Sequence, residues 1–196
     1  QTDDLQDVPA AGKKLAASRR SDFEKISKAG RWKQAIQAYL ASISYADAQL
    51  GRVLDALKQS PYANNTLIVL WSDHGWHLGE KQHWHKSTLW EEATRIPLII
   101  LAPGYPAGDC TRPVSLLDIF PTLNELCHLE PVDSLEGYSL VPLLSAPRTT
   151  WNRPALIQYQ RGNAAVRSER YRYICYHDSS EELYDHELDP NEWKNL

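Results

Sequence analysis

The sequence has little of several features that would place a protein in a class at once. Its 196 residues include no methionine, only two phenylalanines and three cysteines. No apolar run approaches the roughly 18 residues that a membrane-spanning helix requires, so we expect no membrane span. Because the chain begins at Gln1 and has no methionine, we expect a processed or excised piece, from which a leader could have been removed.

The cysteines and the charge balance exclude further classes. Cys110, Cys127 and Cys175 are odd in number and lack the close spacing of metal ligands, so we expect neither a disulfide framework nor a cysteine metal site. The formal net charge is −4 with both signs interspersed, which argues against a nucleic acid as partner. The length suffices for one domain with a sizeable core, or for one domain with a small appendage.

Most of the side chains that could carry chemistry lie between Thr66 and Gly104. Residues 66–71 are a continuous apolar run rich in β-branched residues, which is typical of a fully buried parallel strand. A second buried strand is predicted over residues 97–102, so the polar loop between the two should return to the end of the first strand. The segment therefore predicts α/β architecture.

Asp73 and His74 are the first candidates for function, because they directly follow the first predicted strand. Ligands of open α/β sheets bind at the carboxyl ends of strands, and Gly75 would let the backbone pass close to its neighbours. A carboxylate beside an imidazole would suit a metal ion there. An aspartate after a strand is also a common turn former or helix cap, so these residues alone leave both interpretations open.

The ordered series of motifs in this stretch resembles the sulfatases, and most closely their iduronate-2-sulfatase-like members. Such a long series is more specific than any three-residue motif. The resemblance covers the chain from about Arg31 onward and implies an α/β fold of the alkaline-phosphatase-like sandwich type. The matching residues run without a gap and are Ser72-Asp73-His74-Gly75-Trp76, Leu78-Gly79-Glu80, Trp84, Lys86, Ala93-Thr94, Pro97-Leu98-Ile99 and Ala102-Pro103-Gly104.

Three segments are predicted along the chain. Residues 1–30 are expected to form a linker or peripheral segment with a short helix near its end. Residues 31–150 should form the C-terminal part of the sulfatase catalytic α/β domain, with its mostly parallel sheet and helices. This part begins with a helix over about 31–59, whose wide apolar stripe should pack on a sheet. Residues 151–196 contain short alternating segments and should form a small antiparallel sheet subdomain.

The resemblance implies a sulfuric ester hydrolase that cleaves sulfate monoesters, with sulfated glycans as the favoured substrates. In the family the nucleophile is a formylglycine hydrate held on calcium, and magnesium is an alternative ion. Asp73 matches a metal carboxylate, and His74 would contact the metal or the nucleophile. Lys86 matches the lysine that binds the sulfate and stabilises charge in the transition state. His85 is a candidate for a further substrate contact.

The remaining polar residues of the loop have structural interpretations. A cluster of four histidines within a dozen positions could indicate zinc, but we treat His77 and His83 as loop residues. Glu80, Glu91 and Glu92 are expected to be salt-bridge or capping groups, and Arg95 is a candidate partner for one of them.

The chain departs from the family in one large respect. No cysteine or serine is followed by x-Pro-x-Arg, the motif from which formylglycine is made, and the stretch Cys110–Pro113 has its proline one place too late. We expect the nucleophile, and the other metal carboxylates, to come from the N-terminal part of the same protein. The 196-residue chain alone should then be inactive. By family resemblance the protein would be periplasmic, secreted or lysosomal.

Two alternatives stay open. A phosphodiesterase or phosphonate hydrolase of the same superfamily would often need two metals, and so a histidine ligand where this chain has Lys86. A non-catalytic remnant or binding module is favoured only by the missing nucleophile. The upstream sequence would distinguish an enzyme from a remnant.

Overall fold

The computed structural model describes residues 4–18 and 20–196, in which helices come first along the chain and strands dominate its end. The helices are α1 (Ala10–Ala17), α2 (Arg20–Lys28), α3 (Trp32–Lys58), α4 (Glu91–Thr94), α5 (Ile119–Leu126) and α6 (Val141–Ser145). The strands are β1 (Ile68–Trp71), β2 (His77–Leu78), β3 (Trp84–His85), β4 (Leu98–Leu101), β5 (Ala155–Gln158), β6 (Ala164–Arg167), β7 (Tyr171–Cys175) and β8 (Glu181–Asp185).

The two strands around the candidate loop form an antiparallel pair. Ile68 of β1 lies opposite Leu101 of β4, and Trp71 lies opposite Leu98. Trp71 is 50% exposed, and the other residues of β1 are half-buried. The prediction of a fully buried parallel strand is therefore wrong for β1 within the described residues. An apolar run indicates the tendency to be buried, whereas strand direction depends on the connection between the strands.

Helix α3 has the predicted extent, but its apolar stripe is not covered by the described residues. The helix spans 27 residues, and none of them is buried. Leu40, Ile43, Val53 and Leu54 on this stripe are exposed. The expected packing of the stripe on a sheet is thus not found among the described residues.

The prediction of a linker or peripheral segment over residues 1–30 is wrong for the part around α1, because this part enters the core. Val8, Ala11, Leu15 and Ala16 are buried against Leu89 and Trp90, and against residues of the C-terminal sheet. Small side chains let α1 lie close to the C-terminal sheet: a Cβ on Gly12 would lie 2.6 Å from Oε1 of Glu182 on β8. Polar composition suggested a linker, but only a few apolar residues on one helix face are needed for docking. Residues 1–3 and 19 of the predicted linker lie outside the described residues.

The C-terminal sheet confirms the prediction of a small antiparallel sheet. Its strands follow one another in the order β5-β6-β7-β8, and each neighbouring pair is antiparallel. Ala165, Ile174, Tyr176 and Tyr184 from this sheet share the core with α1. The boundary at residue 150 stays a prediction.

The helices offer no transmembrane candidate. Among residues 4–18 and 20–196, no helix combines the length and the apolar character needed to cross a membrane.

Candidate active site

The loop that carries Asp73 and His74 begins where β1 ends. Because β1 and β4 are antiparallel, the end of β1 lies beside the turn that precedes β4. The backbone N–H of Gly75 donates a 2.9 Å hydrogen bond to the carbonyl oxygen of Ala93. A Cβ on Gly75 would collide with the carbonyl oxygen of Glu92, so the close backbone approach expected at this glycine is observed. The Asp-His loop is thereby held against α4.

His74 has one ring nitrogen fixed by the backbone. Its Nδ1 lies 2.8 Å from the carbonyl oxygen of Gly75. A carbonyl oxygen only accepts, so Nδ1 must carry the proton, and Nε2 presents its lone pair on the other side of the ring. Ser72 Oγ donates a 2.7 Å hydrogen bond to the carbonyl oxygen of His74 and braces the same turn.

The ammonium group of Lys86 contacts the Nε2 lone pair of His74. Its Nζ lies 2.6 Å from Nε2 of His74, and Oδ2 of Asp73 lies 3.3 Å from the same nitrogen. The structure thus brings together Asp73, His74 and Lys86, which the sequence had singled out. Lys86 and Asp73 both approach the same imidazole nitrogen, so a positive and a negative side chain flank His74.

The donor atoms fit a cation in part. The side chain of Asp73 is 78% exposed, so its oxygens are free to take up an ion from solvent. A metal-binding histidine usually donates the N–H of its other ring nitrogen to a carbonyl or carboxylate oxygen. Nδ1 of His74 makes such a hydrogen bond to Gly75. A hard cation such as calcium wants about six to eight oxygens, so this pair supplies only a fraction of a coordination shell.

The loop that carries Lys86 contains several left-handed backbone conformations. Positive φ values occur at Lys81 (53°), Gln82 (48°), His85 (94°) and Ser87 (80°), all of them non-glycine residues. Such conformations persist only where the surroundings hold them, and they concentrate at functional sites. The loop is therefore anchored as a rigid support for Lys86.

His83 is one of these anchors. Its Nε2 lies 2.8 Å from the carbonyl oxygen of Lys86, and its Nδ1 lies 2.8 Å from that of Ala16. The ring is fully buried, and so is that of His77. Both residues are predicted from sequence to be loop residues, and both are buried in the core; His83 connects the loop to α1, whereas His77 contacts Thr88. The two rings pack edge to face at 5.1 Å.

Lys81 is a second anchor, and sequence reasoning missed it. Its side chain is 1% exposed, and its Nζ lies 2.8 Å from Oδ1 of Asp4. The backbone N–H of Lys81 donates to Oδ2 of Asp4, and Nζ also reaches the carbonyl oxygen of Glu192. Lys81 thereby joins Asp4 and Glu192, which lie near the two ends of the described chain. Asp4 and Lys81 are 77 residues apart, so no local pattern could have indicated the contact.

Glu91 forms the salt bridge that was expected of it, but with other partners. It pairs with Arg172 and Arg167 of the C-terminal sheet, while Arg95 is exposed. Burial alone would raise the pKa of Glu91, but these arginines outweigh it and hold the pKa below its ordinary value. Burial raises the pKa of the neighbouring Glu92 to about 7.

Glu91 also belongs to a cluster of possible metal ligands, which we interpret as structural. Among the described residues, the one group of three clustered metal-ligating side chains is Glu91, His186 and Glu192. Arg172 is paired with both glutamates, so positive charge already fills the space between them. This group is a structural ion cluster behind the loop.

His85 is the predicted substrate contact, and the structure gives it an unforeseen partner. Its Nε2 lies 2.8 Å from Oδ2 of Asp22 on α2. The ring packs edge to face against Trp76 at 4.7 Å, and Trp76 in turn stacks on His74 at 6.3 Å. His85 therefore lies beside the Asp73, His74 and Lys86 group.

Two family models match the chain. A sulfatase model covers residues 6–129, and a model described as N-sulphoglucosamine sulphohydrolase, C-terminal, covers residues 79–196. Each of them matches more than half of the chain. The chain therefore belongs to the sulfatase family, with the alkaline-phosphatase-like fold that its structural neighbours share. The match begins at residue 6, well before the position near Arg31 where the resemblance had been recognised.

Individual relatives agree with this family. A sulfatase of Formosa agariphila is 47% identical over the whole chain, which covers 39% of that protein. A structure in complex with its substrate D-glucosamine-2-N,6-O-disulfate has a TM-score of 0.72 and 27% identity, covering 84% of this chain and 36% of the other. The structure of a phosphonate monoester hydrolase of Agrobacterium radiobacter has a TM-score of 0.68 and 29% identity. The match covers 78% of this chain and 35% of the hydrolase chain.

The chain spans only about two fifths or less of the length of these relatives.

Proposed function

We propose that the protein containing this chain is a sulfatase that hydrolyses sulfate monoesters. The observation that carries the proposal is the contact between Lys86 and His74 beside Asp73, with Nζ of Lys86 2.6 Å from Nε2 of His74. It supports the proposal because an ammonium lies next to an imidazole and a carboxylate at the end of a strand. Sulfate ester cleavage needs a cation of this kind on the sulfate oxygens, because charge builds up as the ester bond breaks.

Each of the three residues has a distinct part in this proposal. Lys86 binds a sulfate oxygen and stabilises the charge of the transition state, for which a compact ammonium is suited. Asp73 is a metal ligand. His74, oriented by the carbonyl oxygen of Gly75, offers its Nε2 to the metal or to the nucleophile once Lys86, which contacts that nitrogen in this structure, turns to the sulfate. The left-handed conformations on either side of Lys86 set the direction of the backbone from which its side chain starts.

We propose calcium as the metal, with magnesium as the alternative. Asp73 provides the oxygen that either ion prefers, whereas imidazole is the weaker partner for such a hard ion. When bound, the ion would supply charge to orient the nucleophile and the sulfate. Asp73 and His74 are too few donors for a tight site, so further carboxylates must complete it.

These carboxylates and a formylglycine nucleophile are proposed to come from the N-terminal part of the same protein. Two observations support this: the chain contains no Cys/Ser-x-Pro-x-Arg motif, and its relatives are more than twice as long. The uncovered apolar stripe of α3 and the exposed faces of β1 and β4 offer a surface on which such a segment could pack. A periplasmic, secreted or lysosomal location is part of the same proposal.

The proposed substrates are sulfated glycans. Support comes from the related structure that holds a disulfated glucosamine, a sulfated sugar. The iduronate-2-sulfatase-like subtype is a finer proposal, which rests on the Ser72–Gly104 motif series.

Phosphonate monoester hydrolysis is a second candidate, because one similar structure has that name. A more highly charged phosphoryl group often calls for two metals, and hence for an additional ligand. In this chain Lys86 approaches His74 where that ligand would be expected. The lysine therefore favours sulfate esters over phosphonates.

The test uses the whole protein with an aryl sulfate as substrate. Asp73→Ala should abolish turnover, because a metal ligand is removed, and Lys86→Ala should lower kcat by about two to three orders of magnitude. The control is Lys28→Ala, since the Lys28 side chain is 80% exposed on α2. Wild-type turnover in either of the first two variants would contradict the proposed roles. Faster hydrolysis of an aryl phosphonate than of the sulfate would favour the alternative.

The 196-residue chain by itself should lack sulfatase activity. It should bind calcium with a dissociation constant no tighter than roughly millimolar, because water would have to fill most of the ion's coordination sites. Isothermal titration calorimetry with calcium and an aryl sulfate assay measure the two properties. Micromolar calcium binding that survives Asp73→Ala would reveal a metal site other than the one proposed.

A further inference from the structure

A carboxylate from α2 holds the imidazole that precedes Lys86. Oδ2 of Asp22 lies 2.8 Å from Nε2 of His85, although the residues are 63 positions apart. A carboxylate accepts hydrogen bonds, so Nε2 of His85 carries a proton and donates it. Nδ1 of the same ring makes no hydrogen bond to the described residues, and the side chain is 30% exposed. One nitrogen of His85 is thus fixed, and the other is available to a ligand.

The backbone at His85 brings two consecutive side chains to the same place. In a regular strand, neighbouring side chains point to opposite faces. His85 has a φ of 94°, which few non-glycine residues adopt, and it interrupts this alternation at the end of β3. His85 therefore packs on Trp76, which stacks on His74, while Lys86 contacts His74 itself.

We propose that Asp22 is a positioning residue of the substrate site, which holds His85 as a second cationic contact beside Lys86. The proposal rests on the proposed function and extends it to a substrate class. When an anionic group binds at Nδ1, the carboxylate of Asp22 on the other side of the ring offsets the charge of an imidazolium that donates from both nitrogens. The hydrogen bond from His85, followed by that from Lys25, holds the pKa of the Asp22 carboxyl below its ordinary value, as expected for such a pair.

The ligand class follows from the number of charges. A sulfate monoester carries one negative charge, for which Lys86 already provides an ammonium. A second cation next to it contributes most when the substrate carries another anionic group near the sulfate that is cleaved. We therefore assign the site to saccharides with a second sulfate or a carboxylate close to the first, rather than to singly charged esters.

The experiment compares a disulfated monosaccharide with an aryl sulfate that carries one charge, in the whole protein. Asp22→Asn keeps the shape of the side chain but removes its charge. It should lower the ratio of kcat/KM for the disulfated sugar to kcat/KM for the aryl sulfate about tenfold, the scale of one charged hydrogen bond. The loss should lie mainly in the KM of the disulfated sugar. His85→Gln should lower the ratio to a similar extent.

Two controls separate positioning from a general structural effect. Lys25→Gln removes the other partner of Asp22, whose Nζ lies 3.3 Å from Oδ1, and should leave the substrate ratio unchanged. In a double-mutant cycle, Asp22→Asn should have almost no effect on the ratio when His85→Gln is already present, because Asp22 acts through His85.

The possible outcomes distinguish this inference from the proposed function. If the wild-type protein is active and Asp22→Asn leaves the ratio unchanged, the inference is overturned and the proposed function stands. Equal losses of kcat on both substrates, or additive effects in the cycle, would mean that Asp22 is structural and would overturn it as well. A wild-type protein that hydrolyses no sulfate ester would overturn both.

Discussion

Acidification should destabilise the protein through a single buried imidazole, that of His77. The ring is fully buried between His83 at 5.1 Å and Trp90 at 6.2 Å, and its Nε2 lies 2.7 Å from Oγ1 of Thr88. Burial, together with the nearby charges of His83 and Lys81, lowers the pKa of His77 from 6.5 to about 3. The folded protein therefore keeps this ring neutral over a range in which the unfolded chain protonates it.

The sign and size of the effect follow from this difference. Between pH 6.5 and about 3 the unfolded state binds more protons at His77, so the free energy of unfolding falls as the pH falls. Each pH unit in this window lowers the free energy of unfolding by about 1.4 kcal/mol. At pH 5 the contribution of His77 should therefore be lower by about 2 kcal/mol than at pH 7.5.

The measurement is urea denaturation at pH 7.5 and pH 5, for the wild type and for His77→Phe. Phenylalanine fills a similar volume but does not titrate, so the drop in the free energy of unfolding should be about 2 kcal/mol smaller in the variant. His177→Gln, at an exposed ring, is the matched control and should behave as the wild type. If His77→Phe loses as much stability on acidification as the wild type, the reasoning about the buried ring is refuted.

Two further predictions concern buried charges near the same loop. Asp4→Ala should lower the free energy of unfolding by about 3 to 5 kcal/mol, because it leaves the ammonium of Lys81 buried without its carboxylate. Adding Lys81→Met should restore most of this loss in urea denaturation, and equal instability of the double variant would contradict the explanation. Glu92, whose pKa burial raises to about 7, is more readily protonated in the folded state, so its contribution to stability is lost as the pH rises from about 4.5 through 7. Glu92→Gln should therefore raise the thermal midpoint relative to the wild type at pH 8 but not at pH 4.5, and an equal shift at both pH values would argue against titration of Glu92.

The loop with Lys86 depends on residues that lie far from it along the chain. His83 ties the carbonyl oxygen of Lys86 to that of Ala16 on α1, and Lys81 connects the loop to Asp4. Behind them, Glu91 and Arg172 link the start of α4 to the C-terminal sheet. These buried charges and polar groups are satisfied by one another, so we expect the loop, α1 and the C-terminal sheet to unfold together.

Local sequence determined the elements and the neighbourhood of the candidate residues. The extent of α3, the strands on both sides of the loop and the antiparallel C-terminal sheet follow from spacing patterns that involve neighbouring residues. Asp73, His74 and Lys86 could be singled out because they lie within one short ordered motif series. Their roles in metal and sulfate binding stay predictions.

Tertiary structure alone decided which distant residues meet. The direction of β1, the burial of α1, the pair of Asp4 and Lys81, and the contact of Asp22 with His85 all involve chain segments that are far apart in sequence. The periodicity of apolar residues indicates which face of a helix or strand is apolar, but it does not indicate which other segment of the chain will cover that face. A charged residue such as Asp22 has the same local pattern whether it faces solvent or an imidazole 63 residues away, so only the folded chain reveals its partner.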